Sequence, residues 1–291
     1  MTHQVRLDLP VPILPVAWLA DHLHAPGLII VDASWYLAAA QRNAPAEYLA
    51  GHIPGARFWD VDALSEPDTS LPHMLPDPET LGRNIGGLGI GNDDRVVVYD
   101  GSGTNLSAAR VWWTLRVAGH DAVSVLDGGL GRWRAEGHPV ESGEVTRAPA
   151  RFEVRWRAGL VASLDQVRRG LETGSIQVLD ARSAGRFAGT EPEPRPGLRS
   201  GHMPGARNLP YPELVDREGR LLPRDELARR FAAAGADPVR PIVTSCGSGV
   251  TACALALGLH YLGRRDYSVY DGSWSEWGLP GGPPVVIADS R

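Results

Sequence analysis

The chain has 291 residues, 43% of them hydrophobic, enough to bury two cores of ordinary domain size. Its net charge of −5 offers no basic surplus for nucleic acid or for an anionic membrane surface. All 29 basic residues are Arg and none is Lys, which excludes Schiff-base chemistry and leaves the planar guanidinium fork as the permanent cation for gripping an anion.

Residues 1–13 carry one Arg and no long apolar run, so they read as neither a signal nor a transit peptide. No stretch reaches the roughly 18 apolar residues of a membrane span. The two cysteines, Cys246 and Cys253, are poorly placed to bridge each other, and the expectation is a reduced, cytoplasmic protein.

In chain order the pattern predicts a helix over 15–24, strands over 28–32 and 56–58, and a helix over 78–85. A strand over 96–99, a helix over 107–118, a strand over 123–126 and a helix over 130–136 follow. The alternation implies an α/β domain with a mostly parallel sheet.

The same order then returns. Leu28-Ile29-Ile30-Val31-Asp32-Ala33 is echoed by Ile176-Gln177-Val178-Leu179-Asp180-Ala181. Gly51-His52-Ile53-Pro54-Gly55-Ala56-Arg57 is echoed by Gly201-His202-Met203-Pro204-Gly205-Ala206-Arg207. Val98-Tyr99-Asp100-Gly101-Ser102-Gly103 matches Thr244-Ser245-Cys246-Gly247-Ser248-Gly249, and Leu126-Asp127-Gly128-Gly129 matches Tyr270-Asp271-Gly272-Ser273. Collinear matches at offsets of about 144 to 150 residues mark a duplicated domain. The expected division is 1–140, a linker over 141–160, and 161–291.

Ligands of parallel sheets sit beyond the carboxyl ends of the strands, where Asp32, Asp100 and Asp127 fall in the first copy and Asp180, Cys246 and Asp271 in the second. A strand over 242–244 and a buried helix over 252–259 bracket the loop Cys246-Gly247-Ser248-Gly249-Val250-Thr251. Such a turn aims backbone N–H groups at one point and favours a thiolate there. Cys246 is therefore the expected nucleophile, with Gly247, Gly249, Val250 and Thr251 lining the anion's cradle, and Cys253 is expected on the helix facing the core.

These features together resemble the tandem rhodanese-type sulfurtransferases, and the loop resembles their 3-mercaptopyruvate branch. The resemblance implies two rhodanese-like α/β domains, each a mostly parallel sheet flanked by helices, with only the second catalytic; Asp100 stands where a persulfide would form in the first. It implies transfer of sulfur from 3-mercaptopyruvate through a Cys246 persulfide to a thiol, thioredoxin or cyanide, with release of pyruvate and without cofactor or metal. It assigns the donor's carboxylate and keto end to Arg186 and Arg195, with Arg182 and Arg199 as lesser choices. It also assigns proton handling to Ser248, relayed through His73 and Asp62 of the first domain.

Gly247 and Ser248 stand where the thiosulfate branch typically has Arg and Lys, so thiosulfate is the alternative donor. A non-catalytic sulfur-carrier or binding module is a second alternative. A Cys-loop phosphatase is excluded because position 252 is Ala where a phosphate-gripping Arg is needed. His52 and His202, present in both copies, are read as structural, and Trp112, Trp113, Trp133, Trp274 and Trp277 as packing residues.

Overall fold

The computed structural model describes residues 9 and 11–287 of the chain, which divides into two compact units. Among the described residues, unit 1 comprises 9, 11–64, 76–156 and 218–220, and unit 2 comprises 65–75, 157–217 and 221–287.

Unit 1 holds β1 (Ile13–Leu14), α1 (Val16–His22), β2 (Leu28–Asp32), α2 (Ala44–Ala50) and β3 (Arg57–Phe58). It continues with α3 (Pro78–Gly87), β4 (Arg95–Tyr99), α4 (Leu106–Val117), β5 (Val123–Leu126) and α5 (Gly129–Ala135). All strands pair in parallel, in the order β1-β5-β4-β2-β3. A parallel sheet is covered on both faces, so its inner strands are continuous apolar runs. Val96 to Val98 and Ile29 to Val31 are such runs, and all six residues are buried.

Unit 2 repeats the plan. Its elements are β6 (Val161–Ala162), α6 (Leu164–Thr173), β7 (Gln177–Asp180), α7 (Ala184–Ala188) and β8 (Arg207–Asn208). Then come α8 (Arg224–Ala233), β9 (Ile242–Ser245), α9 (Ala252–Tyr261), β10 (Tyr267–Tyr270) and α10 (Ser273–Trp277). The strand order β6-β10-β9-β7-β8 is the same permutation, again all parallel. Register agrees as well, with Asp32 opposite Tyr99 and Asp180 opposite Ser245, so Asp100 and Cys246 each follow the central strand of their sheet.

α9 is apolar all round, and every residue from Ala252 to His260 is buried. Cys253 is among them, its thiol donating to the Gly249 carbonyl at 3.2 Å. The five tryptophans expected to pack are at most 2% exposed, and Trp133 and Trp274 belong to the hydrophobic cores of their units. His52 and His202 each bond a backbone carbonyl through Nδ1, those of Tyr48 and Phe187.

Two segments depart from the sequence expectation. The stretch 141–156 packs on unit 1 instead of forming a free linker: Glu141 pairs with His52, Ala150 N donates to Gly86 O and Arg155 N to Ala118 O. Residues 65–75, expected in the first domain, pack with unit 2. That loop is closed by a bond from Glu66 N to Met74 O, and Leu75 N donates to the Asp271 carboxylate at 2.8 Å. Among the described residues, no helix is long and apolar enough to cross a membrane.

Candidate active site

β9 delivers Cys246 to the carboxyl edge of the second sheet, where it is 1% exposed. Most carbonyls of the loop from Cys246 to Thr251 are taken by neighbouring groups. Trp274 N takes the Cys246 carbonyl at 3.0 Å, and Ser275 takes the Gly247 carbonyl through N at 2.8 Å and through Oγ at 2.7 Å. Cys253 N and Ala254 N take those of Val250 and Thr251. With these carbonyls held by α9 and α10, the N–H groups of Gly247, Ser248, Val250 and Thr251 have no protein acceptor among the described residues. Gly249, at φ 76, supplies the left-handed step that the turn requires. Backbone N–H groups left without acceptors in such a turn suit a bound anion, whether thiolate or persulfide.

Ser248 is 5% exposed, and its Oγ lies 2.9 Å from His73 Nδ1. His73 is itself buried at φ 63, a backbone conformation that side chains other than Gly adopt at a cost. Arg186 reaches the loop from α7; a Cβ added at Gly247 would stand 2.9 Å from its Nη2. The same guanidinium pairs with Glu193 at 2.6 Å. Glu193, almost fully buried, also holds Arg182 at 2.7 Å, and Arg182 holds Asp180 at 2.6 Å.

Unit 1 offers the same loop with different chemistry. Asp100 fills its own cradle, accepting from Ser102 N, Ser107 N and Ala108 N at 2.8 to 3.0 Å and from the hydroxyls of Ser102 and Ser107. A carboxylate in that position is inert as a sulfur carrier. It also demonstrates that the turn accommodates negative charge.

The family model for the rhodanese-like domain matches residues 15–136 and again 163–279. The chain belongs to the rhodanese family. It is 47% identical to the mitochondrial thiosulfate/3-mercaptopyruvate sulfurtransferase 1 of Arabidopsis thaliana, over 96% of this chain and 79% of the relative. It is 44% identical to the 3-mercaptopyruvate sulfurtransferase of Escherichia coli K12, over 92% of this chain and 95% of the relative. The crystal structure of the 3-mercaptopyruvate sulfotransferase SseA from Escherichia coli superposes with a TM-score of 0.84 at 41% identity, covering 91% of this chain and all of that one.

Within this rhodanese pair, unit 2 brings Cys246, Ser248, His73 and Arg186 into one neighbourhood. Arg195 stands half-buried on the loop between α7 and β8. Asp62 is exposed in unit 1, where both its oxygens accept from Trp35 Nε1 at 3.1 Å. The lesser candidates are committed elsewhere. Arg182 is sealed: burial pulls its basicity down, but Asp180 and Glu193 outweigh that and the net shift is upward. It also stacks over Trp274. Arg199 donates to the carbonyls of Trp277 and Pro283.

Sequence reasoning gave no role in the site to three residues that hold it. Ser273 accepts the Cys246 N–H at 3.1 Å, Asp271 anchors the segment carrying His73, and Glu193 fixes Arg186. Ser273 did leave a signal, since it replaces Gly129 at an otherwise matching place in the repeat. Among the described residues no cluster of His, Cys, Asp and Glu forms a metal site.

Proposed function

We propose that this rhodanese is a 3-mercaptopyruvate sulfurtransferase in which Cys246 carries the sulfur. The observation that bears most weight is the position of Cys246 at the head of a loop whose Gly247, Ser248, Val250 and Thr251 N–H groups have no protein acceptor among the described residues, beside a neutral Gly247 and a Ser248 hydroxyl in contact with His73. The relatives named for this donor, alone or together with thiosulfate, support the same reading.

In the first half-reaction the Cys246 thiolate attacks the donor's sulfur and an S–S bond forms while the donor's C–S bond breaks. The bonding pair passes to carbon, leaving the enolate of pyruvate, which takes a proton from Ser248, itself resupplied through His73. Arg186, together with Arg195, receives the carboxylate and keto oxygen. In the second half-reaction a thiol or cyanide attacks the outer sulfur of the persulfide and restores the Cys246 thiolate. A reducing, cytoplasmic setting suits a nucleophile that must return to thiolate in every cycle.

Intact mass and peptide mapping after exposure to 3-mercaptopyruvate test the proposal. One sulfur atom should appear on the Cys246 peptide, removable by reductant. Cys246→Ser should lose adduct and turnover together, whereas Cys253→Ala should keep most activity. Full turnover in Cys246→Ser overturns the assignment.

A further inference from the structure

Arg57, on β3 of unit 1, is 8% exposed, and among the described residues no carboxylate lies within ion-pair distance of it. Its Nη1 donates to the Leu88 carbonyl at 2.9 Å, and its Nε is buried with no acceptor. Burial lowers its basicity and the charge of Arg147 lowers it further, although Asp94 and Tyr48 pull the other way. Arg147 is exposed and likewise makes no ion pair among the described residues.

A buried charge is normally paired. This protein follows that rule with Arg182, which has two carboxylates. The fold does not force the exception: Arg207, the counterpart of Arg57 in the repeat, is exposed on β8. Arg57 and Arg147 both line two adjoining cavities of about 450 and 540 Å³, which also share Val145 and Thr146. One carboxylate belongs to the rim of each cavity. Glu141 is engaged with His52 Nε2 and Gly55 N, and Glu144 is exposed.

We propose that Arg57 and Arg147 form a binding site for a small oxyanion of the sulfate or phosphate type, in the unit that lacks the nucleophile. Guanidinium N–H donors of Arg57 and Arg147 suit the oxygens of such an ion, and Thr146, which lines both cavities, carries a hydroxyl. The anion supplies Arg57 with the direct ion pair that it lacks among the described residues. This site is independent of the sulfur-transfer chemistry.

Equilibrium dialysis of the full chain against radiolabelled sulfate, and separately phosphate, in chloride buffer tests it. The wild type should show a saturable class of site that weakens at least tenfold in Arg57→Gln and also weakens in Arg147→Gln. The same class should persist in Arg186→Ala, which separates it from any anion held at Cys246. Competition between the two labels identifies the preferred oxyanion, and sulfur-transfer turnover of Arg57→Gln should equal that of the wild type. Should Arg57→Gln fail to fold, Arg147→Gln decides, because its side chain is exposed. Wild-type binding retained in both variants, or no saturable binding in the wild type, overturns the proposal.

Discussion

The hydroxyl of Ser273 accepts the N–H of Cys246 at 3.1 Å and donates to the Tyr270 carbonyl at 2.7 Å, tying the nucleophile to the end of the neighbouring strand. Ser273 adopts φ 48, and its counterpart Gly129 adopts φ 54, where a Cβ would stand 2.3 Å from the Asp100 carbonyl oxygen. Unit 2 has thus accepted a strained side chain where unit 1 has none. Ser273→Gly removes left-handed strain of about 1 kcal/mol and a hydrogen bond of about the same worth, so stability should change little. Turnover should fall by about 3- to 10-fold as Cys246 loses its anchor, while Ser273→Ala should lose stability as well. Thermal melts with steady-state kinetics check this, and full activity in Ser273→Gly would reduce the bond to packing.

His73 and Asp100 separate chemistry from structure. His73→Ala should lower turnover with little effect on donor KM, because the bond it makes is to Ser248 and not to a substrate-gripping Arg. Asp100→Ala should leave turnover nearly intact at a temperature where the chain is folded. It should nonetheless lower the melting point, since the N–H groups of Ser102, Ser107 and Ala108 lose their acceptor, at about 1–3 kcal/mol for each buried donor left unsatisfied. The reverse pattern, a silent His73→Ala with a dead Asp100→Ala, would invert these roles.

Much of this was legible in the residues, for identifiable physical reasons. Inner strands such as β2 and β4 are buried on both faces and show as unbroken apolar runs, and β9 shows as the β-branched run Ile242 to Thr244. The two-residue strands β1, β3, β6 and β8 are too short to carry any period; the first went unread, and the second was expected one residue too long. Cys246 stood out because it opens a Gly-flanked turn between a strand and a buried helix, and Asp100 at the matching place marked the first copy as silent. The packing of 65–75 with unit 2 had no local signal: it rests on a bond from Leu75 N to Asp271, a partner almost 200 residues further along the chain. The pairing of Arg186 with Glu193 joins residues seven apart on one short segment. The ion pair sets the guanidinium beside Gly247.

Arg186 should therefore matter for the donor more than for the fold. Arg186→Ala should lower kcat/KM for 3-mercaptopyruvate by about 10- to 150-fold, the equivalent of one charged hydrogen bond worth about 1.5–3 kcal/mol. Arg186→Lys should not restore it, because an ammonium cannot hold Glu193 and a substrate oxygen in one plane. Glu193 keeps Arg182 as a partner, so the melting point should fall only modestly. Unchanged kinetics in Arg186→Ala would remove this residue from the substrate site.

Asp32 predicts a pH effect on stability. Burial raises its carboxyl above the ordinary value, and the charge of Asp100 adds to that, although bonds from Ser34 and Tyr99 pull the other way. The folded chain therefore holds this proton more tightly than the unfolded chain. Stability falls as pH rises from about 4 through the raised value, and the full penalty is present above it. Asp32→Asn should raise the melting point at neutral pH, with the gain shrinking toward zero in acid. A melting series across pH checks the sign, and a gain that grows in acid would refute it.

The remaining prediction concerns the choice of donor. Thiosulfate concentrates two negative charges beside the sulfur it transfers, so a loop suited to it gains from cations next to the thiolate. Here that loop offers Gly247 and Ser248, and the nearest identified cation, Arg186, is already partly neutralised by Glu193. 3-Mercaptopyruvate carries its charge away from its sulfur, and its departing carbon needs a proton, which a hydroxyl in contact with His73 can pass on. Catalytic efficiency should therefore favour 3-mercaptopyruvate over thiosulfate by at least about tenfold, which takes only about 1.4 kcal/mol of differential transition-state binding. The double change Gly247→Arg with Ser248→Lys should narrow or invert that ratio, and the geometry says how. A side chain at 247 enters space within 2.9 Å of Arg186 Nη2, so the new cation must push Arg186 aside against its bond to Glu193. Mercaptopyruvate efficiency should fall for that reason as well as for the lost Ser248 hydroxyl, and the single change Ser248→Ala separates the two causes. Steady-state kinetics with both donors on all three proteins decides the matter. A wild type that prefers thiosulfate would strip Ser248 and His73 of their proton-transfer role.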